Sequence, residues 1–181
     1  ASLMPVDAPE EDWDDYQVFF STSDGSVRRN ALSDFANVKR NGKIAMKLPE
    51  GVTLVDTRMC TEEDDIMLVT ASGRAIRFPV PEVRIFKGRD STGVRGVRLG
   101  SDDKVVSMSV IRHFEAESWE RVAFLKRYRA ELGSDQADED LSDAEEEGPV
   151  AEGVLGDDRY REMRDAQDLI LTITALGVGK I

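Results

Sequence analysis

One cysteine, Cys60, in 181 residues leaves no partner for an intramolecular disulfide and provides no zinc-site spacing. That scarcity fits a reducing compartment. The lone histidine, His113, has no Ser or Cys partner in a recognisable nucleophile pattern and reads as a surface or boundary residue. No apolar run approaches 18 residues, so no helical membrane span is expected, and no secretory leader is recognisable. Neither a Gly-x-x-x-x-Gly-Lys-Ser/Thr loop nor a dinucleotide fingerprint is present, which excludes ATP as a ligand of this chain. The acidic run Glu62–Asp65 lacks the spacing and the glycine of a calcium loop. Cys60, without a reactive setting, is expected to be a small buried apolar side chain.

Charge is abundant but unevenly placed. The formal net charge is −12, which by itself argues against a polyanionic partner. Residues 130–158, however, hold twelve acidic side chains and no Lys or Arg, while residues 25–98 hold fourteen basic against nine acidic ones. This local asymmetry says more than the total.

The sequence also repeats. Val18–Gly25 with Ser26–Arg29, Ile66–Gly73 with Arg74–Phe78, and Ile170–Gly177 with Val178–Ile181 each read as a β-prone run, a tight turn ending in Gly and a second run, which predicts hairpins. Asn41–Leu48 before Val52–Val55 and Thr92–Leu99 before Lys104–Met108 form a second repeated unit. Gly42 and Gly93 lie 51 positions apart, and Gly25 and Gly73 lie 48 apart. A period near 50 with about four strands is the size of a propeller blade, and such blades need neighbours to bury both faces. The expected class is therefore all-β, a partial array of propeller-like blades. About two blades occupy 1–111, an insertion occupies 112–168, and the next blade starts in 169–181. The chain begins without Met inside an apolar stretch and ends after a strand-turn pattern, so both ends are expected to be cuts through a longer polypeptide.

Within the insertion, Glu115–Leu132 predicts a helix stopped by Gly133, with Trp119, Val122, Leu125 and Leu132 sealing one face. Ser134–Glu147 has too few apolar residues to fold alone and is expected to be a mobile acidic linker. A sharper alternative is an autoinhibitory strip, in which the acidic residues 135–147 compete with a polyanion for basic side chains. Asp157–Gln167 predicts a second short helix.

Thr92-Gly-Val-Arg-Gly-Val-Arg-Leu-Gly100, followed by Asp103-Lys-Val-Val-Ser-Met108, resembles the C-terminal domain family of DNA gyrase A subunits. Asn41–Leu48 and Asp24–Arg29 with Leu32–Phe35 are similar to the family's equivalent elements. The resemblance covers roughly 1–111 and resumes near 168. The block between departs from the pattern and reads as a lineage-specific insertion. The resemblance implies a β-pinwheel, a propeller-like ring whose basic rim carries duplex DNA, within an ATP-dependent type II topoisomerase that introduces negative supercoils. It further implies partners in a gyrase B subunit, plus a dimer of A subunits, no membrane, and a bacterial cytoplasmic, nucleoid-associated location. ATP and Mg²⁺ would serve the intact complex rather than this chain. The family's Gln-Arg-Arg-Gly-Gly-x-Gly box and the breakage-reunion region are absent here, so Tyr16, Tyr128 and Tyr160 inherit no catalytic role.

The expected DNA contacts are Arg28, Arg29, Lys39, Arg40, Lys43 and Lys47 in the first repeat and Arg74, Arg77, Arg84, Lys87, Arg89, Arg95 and Arg98 in the second. Many modest cationic contacts suit a protein that bends a regularly charged duplex, and backbone contacts carry no base specificity. Glycines beside the arginines are expected to bring backbone N–H groups close to phosphate. Two alternatives stand beside this reading: the equivalent domain of topoisomerase IV, and a propeller used for protein interaction. The latter predicts aromatic and apolar rim residues, whereas only 7% of this chain is aromatic.

Overall fold

The computed structural model describes residues 4–36, 42, 44–132, 153–173 and 177–180, which fall into two compact units divided after His113. Lys39, Arg40, Lys43, Gly133 and the acidic block 135–147 lie outside the described residues.

In the first unit the two hairpins form as the sequence predicts. β1 (Gln17–Thr22) and β2 (Ser26–Ala31) pair antiparallel around Gly25, and β3 (Leu54–Cys60) pairs with the other edge of β1. β4 (Asp64–Thr70) and β5 (Ala75–Pro79) repeat this hairpin around Gly73. After the two-residue β6 (Val94–Arg95), β7 (Val105–Arg112) takes the place on β4 that β3 takes on β1. Both turn glycines adopt φ near +82°, a conformation that costs a side chain dearly. The correspondence reaches the irregularities. The first sheet shifts register between Ser21 and Thr22 and the second between Val69 and Thr70, which are equivalent positions 48 residues apart.

The sheets run β3-β1-β2-β6 and β5-β4-β7. The repeat pattern predicts four strands from one stretch of chain. Instead, residues 44–49 form no strand, and the fourth strand of the first sheet is β6, which comes from the second repeat.

Strand alternation sends Phe19 and Val27 into a core with Ile66, Leu68, Phe78, Val80, Val105 and Met108. On the opposite face Val18, Phe20 and Leu32 pack with Trp13, Tyr16, Phe35 and Met46. All six residues of β1 are therefore buried. Each large apolar side chain so enclosed contributes about 1.5–3 kcal/mol. Cys60 joins the first core as a free, buried thiol, and burial pushes its pKa up to about 12.

The second unit contains α1 (Ser118–Leu132), α2 (Asp157–Asp165) and a small hairpin of β8 (Thr172–Ile173) and β9 (Gly179–Lys180). The helices form where the sequence predicts them, but they pack by a different face. Phe124, Tyr160 and Met163 are buried, flanked by Phe114, Ala116, Tyr128 and Leu155, whereas Val122 and Leu125 are exposed. Three aromatic rings decide this, because Phe124 stacks on Tyr128 and meets Tyr160 with centroids 5.2 Å apart. Arg127–Asp157, Arg159–Glu120 and Arg164–Glu131 ion pairs of 2.7–2.9 Å fasten the helix pair. No described helix is long and apolar enough to cross a membrane.

Candidate nucleic-acid interface

The second-repeat segment 84–98 lies along the free edge of β2. Ile85 bridges to Arg29, the Phe86 N–H donates to the Arg29 carbonyl, and Val94 and Arg95 pair with Val27 and Ser26. Two glycines of the Thr-Gly-Val-Arg-Gly motif make this approach possible. A Cβ on Gly93, whose φ is +96°, would strike the Val27 carbonyl, and one on Gly96 would lie 2.6 Å from Val27 Cγ1. The Gly96 N–H donates to the Gly25 carbonyl at 2.9 Å. These glycines therefore serve strand docking.

Along this edge the side chains of Arg84, Lys87, Arg95 and Arg98 are exposed. Lys47 joins them, because its N–H donates to the Ser91 carbonyl. No carboxylate lies within ion-pairing distance of any of the five among the described residues. Arg84 stacks over the Phe86 ring at 4.0 Å. An open groove of about 510 Å³ lies along Arg84–Gly88, Asp90 and Ser91.

Three expected surface arginines are held by the fold instead. Arg28 has no exposed surface; its Nε donates to Asn30 Oδ1 at 2.8 Å and its Nη1 to the Ser91 carbonyl and hydroxyl. Burial pulls its pKa below the ordinary guanidinium value, with Asp90 and Asp34 acting in the opposite sense. Arg29, also buried, donates to the Val83 carbonyl, to Gln17 Oε1 at 3.3 Å and to Glu62 at 3.3 Å. Arg77 is half exposed but donates to the buried Asp65 at 2.6 Å. Arg29 with Gln17 and Arg77 with Asp65 are the same pair 48 residues apart, so this arginine is a structural part of each hairpin. As rim contacts, Arg28 and Arg29 are corrected to interior residues, because both side chains are buried beneath segment 83–91.

Arg74 is exposed at the β4–β5 turn, away from this edge in the strand order. Arg89 is half buried. His113 Nδ1 lies 2.8 Å from the second oxygen of Asp65. In the acidic run, Asp64 accepts hydrogen bonds from Thr61 and so closes the β3–β4 turn. Among the described residues no cluster of His, Cys, Asp or Glu could hold a metal ion.

Sequence reasoning missed Asn30 and Ser91. Asn30, wholly buried, donates through Nδ2 to the Phe86 carbonyl at 2.7 Å, and Ser91 receives Arg28. Their partners lie 56 and 63 residues away, beyond any local pattern.

A hairpin that occurs twice, each time flanked by a third strand with a bulge at the equivalent place, with the first sheet completed by a strand of the second repeat and edged with cations that have no ion-pair partner among the described residues, defines a propeller-type blade array. The family model described as DNA gyrase C-terminal domain, beta-propeller, matches residues 16–61 and 64–112. The chain belongs to that family. The DNA gyrase A subunit of Granulibacter bethesdensis is 42% identical over 187 residues, covering 99% of this chain and 20% of that protein. Its counterpart in Rickettsia bellii is 39% identical, covering 99% and 19%, so both relatives match across 112–168 as well. The Escherichia coli counterpart is 40% identical over 111 residues, covering 61% and 12%. The chain thus spans about a fifth or less of the length of these relatives. Among solved structures, the C-terminal domain of DNA topoisomerase IV superposes with a TM-score of 0.51 at 27% identity, covering 55% of this chain and 31% of that one.

Proposed function

We propose that this chain binds duplex DNA without base preference along the β2–β6 edge, within the DNA-wrapping domain of a gyrase A subunit. One observation supports this best: five exposed cations, Lys47, Arg84, Lys87, Arg95 and Arg98, are gathered on one sheet edge with no carboxylate partner among the described residues. Arginine forks and the lysine point charge suit phosphate oxygens, and such contacts position a duplex without reading it. Arg74, exposed at the β4–β5 turn, would be a separate contact away from this edge, and Lys39, Arg40 and Lys43 belong to the set by sequence.

In this reading the parent enzyme is an ATP-dependent type II topoisomerase that introduces negative supercoils. The gyrase B subunit, the dimer of A subunits and the nucleoid location go with that parent. ATP and Mg²⁺ would act elsewhere in the complex, a reading supported by the lack of a Gly-x-x-x-x-Gly-Lys-Ser/Thr loop in this sequence. The chain's part is to bend DNA and present it, while bond breakage occurs outside it. The topoisomerase IV alternative has the weaker support, since the sequence relatives named above are gyrase A subunits.

The test is duplex affinity measured against salt. Replacing Arg95 and Arg98 together with Gln should weaken binding and reduce the slope of log K against log salt by about 1–2. An unchanged slope removes both residues from the interface.

A further inference from the structure

Among the described residues Arg28 is a wholly buried cation with no ion-pair partner and no hydrogen-bond acceptor for its Nη2. Arg89, four residues before the docking Gly93, likewise keeps a buried Nη1 without an acceptor. Two unsatisfied guanidinium nitrogens in one neighbourhood are uncommon in a folded protein, where buried polar atoms normally find partners. The neighbourhood is also overcharged. Arg84 and Arg89 act on Arg28 as like charges, while Asp90 and Asp34 oppose them. Asp34 is already an acceptor for Asn30 Nδ2 at 3.1 Å.

Beside these groups runs the groove lined by Arg84–Gly88, Asp90 and Ser91. Arg28 touches two of its lining residues from behind: Nη1 reaches Ser91 Oγ at 3.1 Å, and Cζ lies 4.9 Å from the centre of the Phe86 ring. Arg84 and Lys87 stand at its mouth. We infer that this groove is a discrete seat for one phosphodiester group, with Arg84 and Lys87 engaging it directly and Arg28 and Arg89 supplying the buried positive charge behind it. The inference rests on the DNA-binding reading and gives it a fixed anchoring point, distinct from the exposed contacts at Arg95 and Arg98. A single compact anion is the fitting occupant. Phe86, the aromatic ring among the described lining residues, is buried, so it offers no open face for stacking a base. Guanidinium forks with free N–H groups match the non-bridging oxygens of phosphate, whether from a duplex or from the free ion.

The experiment is guanidinium ¹⁵N NMR on the 181-residue chain, titrated with inorganic phosphate and, separately, with a 20-base-pair duplex at matched ionic strength. The expected result is a saturable shift of Arg28 and Arg89 with both titrants, while Arg95 and Arg98 respond only to duplex. Substituting Arg84→Gln and Lys87→Gln, both exposed, should weaken the phosphate response about tenfold and lower the duplex salt slope by about 1–2. A duplex that moves Arg95 and Arg98 but leaves Arg28 and Arg89 still overturns the seat and leaves DNA binding intact. Phosphate shifts without any duplex binding overturn both the seat as stated and the DNA reading beneath it. A weak, uniform shift of every arginine with phosphate also overturns the seat.

Discussion

At the scale of single residues, glycine and arginine do unexpected work. Gly93 is held at positive φ against the Val27 carbonyl, so even a methyl group there is strained by both the backbone and the neighbour. Gly93→Ala is expected to cost about 1–3 kcal/mol, read as a lower urea midpoint, and to release segment 84–98 from β2. A midpoint within error of the parent would show that β6 docking contributes little. Asp103 offers a second residue-scale test. The Ser72 hydroxyl, then further hydrogen bonds from Thr70 and the backbone of Ser72 and Lys104, hold its pKa down to about 2. A carboxylate depressed on folding stabilises above its unfolded value near 4, and that contribution disappears as pH falls through the folded value. Stability should therefore drop between about pH 4 and 2, and Asp103→Asn should flatten that part of the curve. An identical acid profile for the variant would assign the loss to other carboxylates.

At the scale of elements, the two units hold together by different means. Each hairpin of the first unit carries an arginine that links its two strands, Arg29 to Gln17 and Arg77 to Asp65, and each pairs with a third strand through a bulge. The helix pair of the second unit depends on a small aromatic core and a ring of arginine–carboxylate pairs. Exposed ion pairs contribute little each, about 0–1 kcal/mol, so the core must dominate. Phe124→Ala should cost about 3–5 kcal/mol at that site. Circular dichroism should then show lost helix, while the amide exchange of β1 and β4 stays as protected as before. Loss of protection in β1 would show that the units unfold together.

At the scale of the whole molecule, net charge is a poor guide to partner. The chain carries −12 overall, yet at about 0.1 M salt exposed charges act over only about 10 Å. A cationic edge can thus bind a polyanion while the acidic segment lies elsewhere in sequence. With about five phosphate contacts, duplex affinity should fall about 10²–10³-fold between 50 and 200 mM salt. A flat salt dependence would mean that the edge is not the binding surface. The blade geometry also explains why repeats come in series. β1 is buried on both faces because a second sheet and a loop layer enclose it. Met67 and Val69 of β4, by contrast, are only half buried.

Much of this was legible in the sequence because it is written in short windows. Alternation over five or six residues and a glycine at a turn suffice for a hairpin, and an offset of 48 or 51 positions suffices for the repeat. The helices announced themselves through composition and spacing, and the cationic segment 84–98 through local charge. Only the tertiary structure decided which arginines face outward. Arg28 and Arg95 look alike in sequence, but one lies beneath Ser91, 63 positions away, and the other on an open strand edge. It also decided that β6 completes the earlier sheet, and that Phe124 rather than Leu125 turns inward. In each case the deciding energy comes from burial against distant neighbours, and no local pattern records who those neighbours are.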